Sequence, residues 1–352
     1  MSLAALPRWA LNKPVLASAS AISELPNDPA LPALAAIRAV GLAAAIPALD
    51  LEGCPVEFAL RGYTTGSRVA LEVRSEQRRF AVKAYAEDPA SEAELYGVLA
   101  AAGLSGDAAV RVPPLLAWNR ELRVLAIGWL EGSTAKELIE GGQGQRAGEL
   151  AARWVQRAAS LRVKLGAPFG AARILHRAHK WGAAFGAANP ALGTAARALI
   201  GILEHTEPNE ADPRLIHGTL YARHVLDLGD ATGLIDWDRF AQGPLELDAG
   251  IFLASIWRSG LASETLAGES ARAEKAFLSG IAGFVEERAL AWHRAAALLR
   301  LTEKYVFHRR DDWLAWAHLL LSEAARLVKP LDARCSNGLG ANLAHSQREK
   351  SG

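Results

Sequence analysis

Cysteine is nearly absent. Cys54 and Cys335 are the two in 352 residues, too few for a disulfide framework and at no metal-ligand spacing. A reducing, cytoplasmic setting is the expectation. Long hydrophobic runs are also missing. The Ala-rich stretches are broken by Arg, Pro or Gly well short of the ~18 apolar residues that would suggest a membrane span. The opening stretch, MSLAALPRWALNKPVLASASA, lacks the ordered basic head, apolar run and cleavage site of a secretory leader. No sign of charge dominates: 39 Lys and Arg stand against 38 Asp and Glu. A global field favouring nucleic acid or an anionic membrane is thereby excluded, so neither is expected as a partner. No internal repeat or low-complexity tract occurs.

What is present reads as two packed lobes. A chain of this length exceeds one simple core, and 51% hydrophobic with 22% charged residues is ordinary for a globular protein. Residues 1–55 form a helical extension, with LPALAAIRAVGLAAAIPA as one or two short helices punctuated by Gly41 and Pro47. From Val56 the pattern alternates. VEFALRGY, SRVALEVRS and RRFAVKAYA predict an antiparallel meander with a turn at Thr64-Thr65-Gly66-Ser67. A helix follows over about 90–102, entered near Pro89 and stopped at Gly103, then two more strands around VPPLLAWN and RVLAIGWL. This 56–130 sheet-rich lobe gives way to a helical lobe over 131–330. One strand-and-loop island, 214–240, interrupts the helices, and 331–352 reads as an unstructured polar tail. The fold class expected is therefore α+β in two lobes, a small antiparallel sheet followed by a larger helical part.

The most informative segment is RLIHGTLYARHVLDLGDATGLIDWDRFAQGPLELDAGIFLA, from Arg214 to Ala254. It resembles the aminoglycoside phosphotransferase and choline kinase family, which has the protein-kinase-like fold. That family carries an HGDxxxxNVL loop, a strand ending in IDWD or IDFD, and a GDPxxDLA-like helix start. Here stand His217-Gly218-Thr219, Val225-Leu226, Ile235-Asp236-Trp237-Asp238, Gly243-Pro244 and then Asp248. Upstream and in order come FAVKAY with Lys83, SEAELYGVL with Glu92, RGYTTGSRVALEV with Gly66 and Ser67, and IGWLEG with Trp129. The resemblance spans roughly residues 56–325. It implies that Lys83 holds nucleotide phosphates with Glu92 as its partner, and that Gly66 and Ser67 belong to a phosphate-covering hairpin. It also places Trp129 in the hinge beside the base, Asp236 on magnesium, and Asp248 and His217 in structural roles. ATP or GTP with Mg2+ would be the cofactors and a small hydroxylated metabolite the acceptor.

The chemistry explains these residue types. Phosphoryl transfer spreads charge over the moving oxygens, so catalysis is positioning and neutralisation. Magnesium asks for hard oxygen ligands. Two positions depart from the family pattern. Thr219 stands where the resemblance implies a catalytic Asp, and its hydroxyl has no useful basicity near neutral pH. His224 stands in place of a magnesium-binding Asn, and imidazole suits zinc better than magnesium. Asp238, ahead of Asp227 and Asp230, is the candidate substitute carboxylate.

Plainer readings stand beside these. Lys83 is then an exposed strand lysine, and Glu92 a first-turn glutamate favoured by the helix dipole, with Glu94 competing for the pairing. His217 is a satisfied core histidine, and Trp257, Trp292, Trp313 and Trp316 are core. Two functions follow from the pattern. One is ATP-dependent transfer through an atypical site, the other a pseudokinase-like module that binds nucleotide or metabolite without transfer. The helical lobe shows no acidic cluster of the kind a polycationic acceptor would need.

Overall fold

A computed structural model describes residues 25–210, 212–309 and 311–349, without side chains from 333 onward. Residues 1–24 of the expected helical extension and 350–352 of the expected tail lie outside the described residues. The chain divides into two compact units, Met1–Ser133 with Leu226–Asp238, and Thr134–Val225 with Arg239–Gly352.

The first unit begins with α1 (Pro32–Ala45), which Gly41 interrupts at a φ of 80°. Beyond it lie β1 (Glu57–Thr64), β2 (Arg68–Arg74) and β3 (Arg79–Tyr85), then α2 (Ala90–Ala101) and β4 (Val110–Arg111). β5 (Leu115–Asn119) and β6 (Val124–Gly128) complete a five-stranded antiparallel sheet in the order β1-β2-β3-β6-β5. Alternation decides what each face does. Phe58, Val69, Leu71, Val73, Phe80 and Val82 point to one face and join Leu31, Leu34 and Ile37 from the α1 region in a single apolar cluster. Each such side chain stabilises the fold by about 1.5–3 kcal/mol when fully buried. The register sets Ala70 opposite Lys83 and Glu72 opposite Ala81. Arg68, Glu72 and Lys83 therefore share the other face.

The strand-and-loop island does not stay whole in the helical lobe as the sequence suggests. After β7 (Ser133–Thr134), β8 (Arg214–Ile216) and β9 (Val225–Asp227) comes β10 (Thr232–Leu234), which pairs in parallel with β4. That backbone pairing gives residues 226–238 to the first unit. Two-residue strands such as β4 carry too little periodicity to be read from sequence.

The second unit is helical: α3 (Ala135–Glu140), α4 (Gly144–Ser160), α5 (Ala171–Ala188), α6 (Pro190–His205), α7 (Leu245–Gly260), α8 (Glu264–Ile281), α9 (Glu287–His308) and α10 (Trp313–Glu349). β8 pairs antiparallel with β11 (Ala241–Gly243). α9 runs through the middle, packed on α5, α7 and α10. Trp292 is fully buried and donates its indole N–H to the Leu203 carbonyl at 2.8 Å. Trp316 is also buried, while Trp257 and Trp313 pack partly buried against the same core. The region read as a tail continues as α10 instead, passing Pro330. Leu320, Leu321, Ala324, Val328 and Leu331 are buried at helical spacing, which holds the helix to the core up to that point. Among the described residues, no helix is long and apolar enough to cross a membrane.

Candidate functional site

Lys83 leaves β3 on the polar face of the sheet and is buried. A buried ammonium is stable only when paired. Its Nζ lies 2.7 Å from Glu92 Oε1 and 3.4 Å from Asp236 Oδ1. Glu92 is buried in the first turn of α2 and also accepts the Tyr85 hydroxyl at 2.7 Å. Glu94, two residues later and about 200° around the helix, is exposed. Burial alone would lower the Lys83 pKa, but the Glu92 and Asp236 charges override it and the pKa is raised. Asp236 sits at a φ of 68°, a left-handed conformation that Asp tolerates better than most residues.

Arg68, the first residue of β2, is the cation that sequence reasoning missed. Its guanidinium pairs with Asp238 and lies 4.0 Å from Asp236. The two carboxylates of IDWD thus already face two basic groups. Magnesium is held by one or two carboxylates together with substrate phosphates rather than by an all-protein cage. Among the described residues, no three or more His, Cys, Asp or Glu side chains converge as a metal site. Asp236 and Asp238 are the carboxylates that would face a nucleotide-borne magnesium ion, in competition with Lys83 and Arg68. Asp238, the expected substitute base, is likewise held by a guanidinium.

The hairpin between β1 and β2 also has a partner hidden from the sequence. Gly66, at a φ of 68°, donates its N–H to Asp28 Oδ2 at 2.7 Å, and the Tyr63 hydroxyl reaches the same oxygen at 3.0 Å. The Gly66 N–H is the main influence holding the Asp28 carboxyl below its usual range. Ser67 is exposed and donates its N–H to the Thr64 carbonyl at 3.0 Å. Trp129 carries the Arg79 guanidinium 4.1 Å from its ring centroid, with Arg61 at 5.8 Å. Those two arginines, with Arg74, converge on the fully buried Glu72. Burial would raise the Glu72 pKa, but the guanidiniums bring it down to about 2. Arg74 stands two residues on in the same segment, whereas Arg61 and Arg79 are brought to Glu72 only by pairing with the neighbouring strands.

In the second unit, the loop after β8 is built on backbone. The N–H groups of His217 and Gly218 donate to Asp248 Oδ2 and Oδ1 at 2.7 and 2.8 Å. Trp154 adds its indole N–H to Oδ2 at 3.0 Å. Asp248 is 1% exposed, and burial raises its pKa against these three donors. Gly218 adopts a φ of 73°, and a side chain there would collide with the Arg239 carbonyl oxygen. Thr219 is buried, its hydroxyl 3.3 Å from His217 Nδ1. His224 Nδ1 lies 2.8 Å from the Thr219 carbonyl oxygen, an acceptor, so that nitrogen carries the proton. Its ring stacks near His217 and meets Tyr221 edge-on, each at 5.6 Å.

A model of the phosphotransferase enzyme family matches residues 63–292. Among solved structures, a ternary complex of a thermostable mutant of aminoglycoside phosphotransferase APH(4)-Ia with ADP and hygromycin B is similar. It shows a TM-score of 0.59 and 12% identity, over 80% of this chain and 95% of that one. A choline/ethanolamine kinase family protein from Mesorhizobium loti gives 0.55 and 15% identity, over 79% and 90%. Choline kinase LicA from Streptococcus pneumoniae gives 0.54 and 13%, over 77% and 93%. At these identities the likeness shows the kinase-like fold. No curated protein matches the sequence.

Proposed function

Because the chain belongs to the phosphotransferase enzyme family, we propose that it binds ATP or GTP through Lys83 and engages a small molecule, without transferring phosphate at Thr219. The observation that carries this reading is the assembled clamp: Lys83 Nζ is 2.7 Å from Glu92 and 3.4 Å from Asp236. A lysine fixed between two carboxylates keeps its charge and its place, which is what holding phosphate oxygens requires.

Transfer is a separate matter. Thr219 has no proton-accepting capacity at neutral pH, and its backbone carbonyl and hydroxyl are engaged with His224 and His217. Loss of a general base costs ~10²–10⁴-fold in rate. Arg68 holds Asp238, so that carboxylate is a poor replacement. The pseudokinase-like reading is therefore favoured over an active enzyme.

Thermal unfolding with ATP or GTP, with and without magnesium, tests the proposal. A nucleotide at ~100 times its dissociation constant adds ~2.7 kcal/mol of stability. The absence of any shift would remove nucleotide binding. Multiple-turnover phosphate transfer by the native chain, lost in Asp236→Ala, would replace the binding reading with an active enzyme. Nucleotide hydrolysis gained only in a Thr219→Asp, His224→Asn double variant would support a degenerate site.

A further inference from the structure

We infer that the helical unit carries a binding site for a small polyanion beside the Thr219 loop, formed by Arg223, Arg258, Arg300 and Lys304 around Tyr221. This names the class of small molecule that the proposal above leaves open and rests on its reading that the chain engages one.

The site gathers cations from different elements around one aromatic ring. Arg223 follows Tyr221 in the loop by two residues, and its guanidinium carbon lies 4.5 Å from the Tyr221 ring centroid. Lys304 Nζ, from α9, lies 5.1 Å from the same centroid. One aromatic ring thus carries two positive groups from different elements. Arg300 sits one turn before Lys304 on α9, and like charges at that spacing repel along a helix. A second aromatic repeats the pattern: Arg173 and Arg177, also one turn apart, lie 5.5 and 5.0 Å from the Phe169 ring. α5, which carries them, packs on α9.

Among the described residues, Arg173, Arg177, Arg258, Arg300 and Lys304 form no ion pair with a carboxylate within 4.0 Å. Such pairs occur at many other basic residues of the chain. The repulsion is visible in the Lys304 ammonium. Desolvation first, then Arg223, Arg258 and Arg300, bring its pKa down to about 8, with Glu303 opposing. Arg177 is lowered by burial and then by Arg173 and Arg300, so Arg300 links the two groups. A chain with near-equal numbers of acidic and basic residues had carboxylates to place here. Concentrated cations over aromatic faces instead suit phosphate or carboxylate oxygens.

Calorimetric titration of the full chain tests this, in a Lys83→Ala background so that the nucleotide clamp does not contribute. The probes are inorganic pyrophosphate, citrate, the polycation spermine, an RNA oligonucleotide and phosphatidylserine vesicles. Pyrophosphate or citrate is expected to bind, weakened at least tenfold by Arg300→Ala with Lys304→Ala. Pyrophosphate alone would point to phosphate esters, citrate alone to polycarboxylates. Affinity should fall as pH rises from 7 to 9, because Lys304, which lies among Arg223, Arg258, Arg300 and Glu303, loses its proton. Both variant side chains are exposed or half-exposed, so the unfolding midpoint checks that the fold is kept. No binding of either anion, binding indifferent to the double variant, preference for spermine, or binding only to RNA or phosphatidylserine vesicles would each overturn the inference. Failure of ATP and GTP to stabilise the native chain, with pyrophosphate binding intact, would sink the nucleotide reading and leave this site standing.

Discussion

The two units treat their polar machinery in opposite ways. In the first, side chains bear the charge: Lys83, Glu92, Asp236, Arg68 and Asp238 form one connected set of ion pairs. In the second, the HGT loop is held by backbone N–H groups on one buried carboxylate, Asp248. A backbone-held loop keeps its path whatever side chain occupies position 219, provided Gly218 remains. A side-chain clamp has less tolerance at its buried pair, because loss of Lys83 or Glu92 leaves the other charge buried. Chemistry can therefore be lost from the loop while the clamp and the fold persist.

The sharpest way to break this comparison is at Asp248. Asp248→Ala orphans three buried donors, and at about 1–3 kcal/mol for each unsatisfied group the expected loss is roughly 3–9 kcal/mol. Denaturant unfolding measures it, and a loss below ~1 kcal/mol would show the loop to be held by something else.

Next in size is Glu72. Its folded pKa of about 2 lies below the ordinary 4.5, so its contribution is complete above pH 4.5 and disappears as pH falls from there toward 2. A shift of this size corresponds to on the order of 3 kcal/mol. Glu72→Gln should be destabilised by a comparable amount at pH 7 and flatter than the native chain between pH 4.5 and 2. Parallel stability-pH curves for the two would refute the assignment.

Lys83→Ala should abolish the ~2.7 kcal/mol of nucleotide stabilisation expected at ~100 times the dissociation constant, leaving the helical unit's anion binding intact. Retained nucleotide stabilisation would mean the clamp is not the phosphate site.

The smallest effect belongs to Arg68, which is partly exposed. Arg68→Ala should change stability by no more than ~1 kcal/mol. It should also make nucleotide affinity depend on magnesium, because Asp236 and Asp238 lose their competing guanidinium. Nucleotide affinity that already depends strongly on magnesium in the native chain would show that Arg68 does not take the metal's place.

Much of the fold was legible. The meander came from period-two alternation in three successive segments, and α2 from its entry at Pro89 and stop at Gly103. Lys83 and Asp236 were legible through motif order. Glu92 over Glu94 needed the helix register, which sets one on the sheet side and the other in solvent. Arg68, Asp28 and Glu72 were not legible. Asp28 meets Gly66 across 38 positions and Arg68 meets Asp238 across 170. Contacts that distant leave no local pattern in residue type.

The sequence by itself determined the two kinds of architecture, the family pattern, and the absence of a carboxylate at position 219. These depend on periodicity, on spacing and on the identity of one side chain. Tertiary structure alone decided that two basic groups face Asp236, that Asp248 collects three N–H groups, and that the cations of α9 and the Thr219 loop meet on Tyr221. The reason is physical: charges interact through space over a few ångströms, and only the folded chain sets which ones are neighbours.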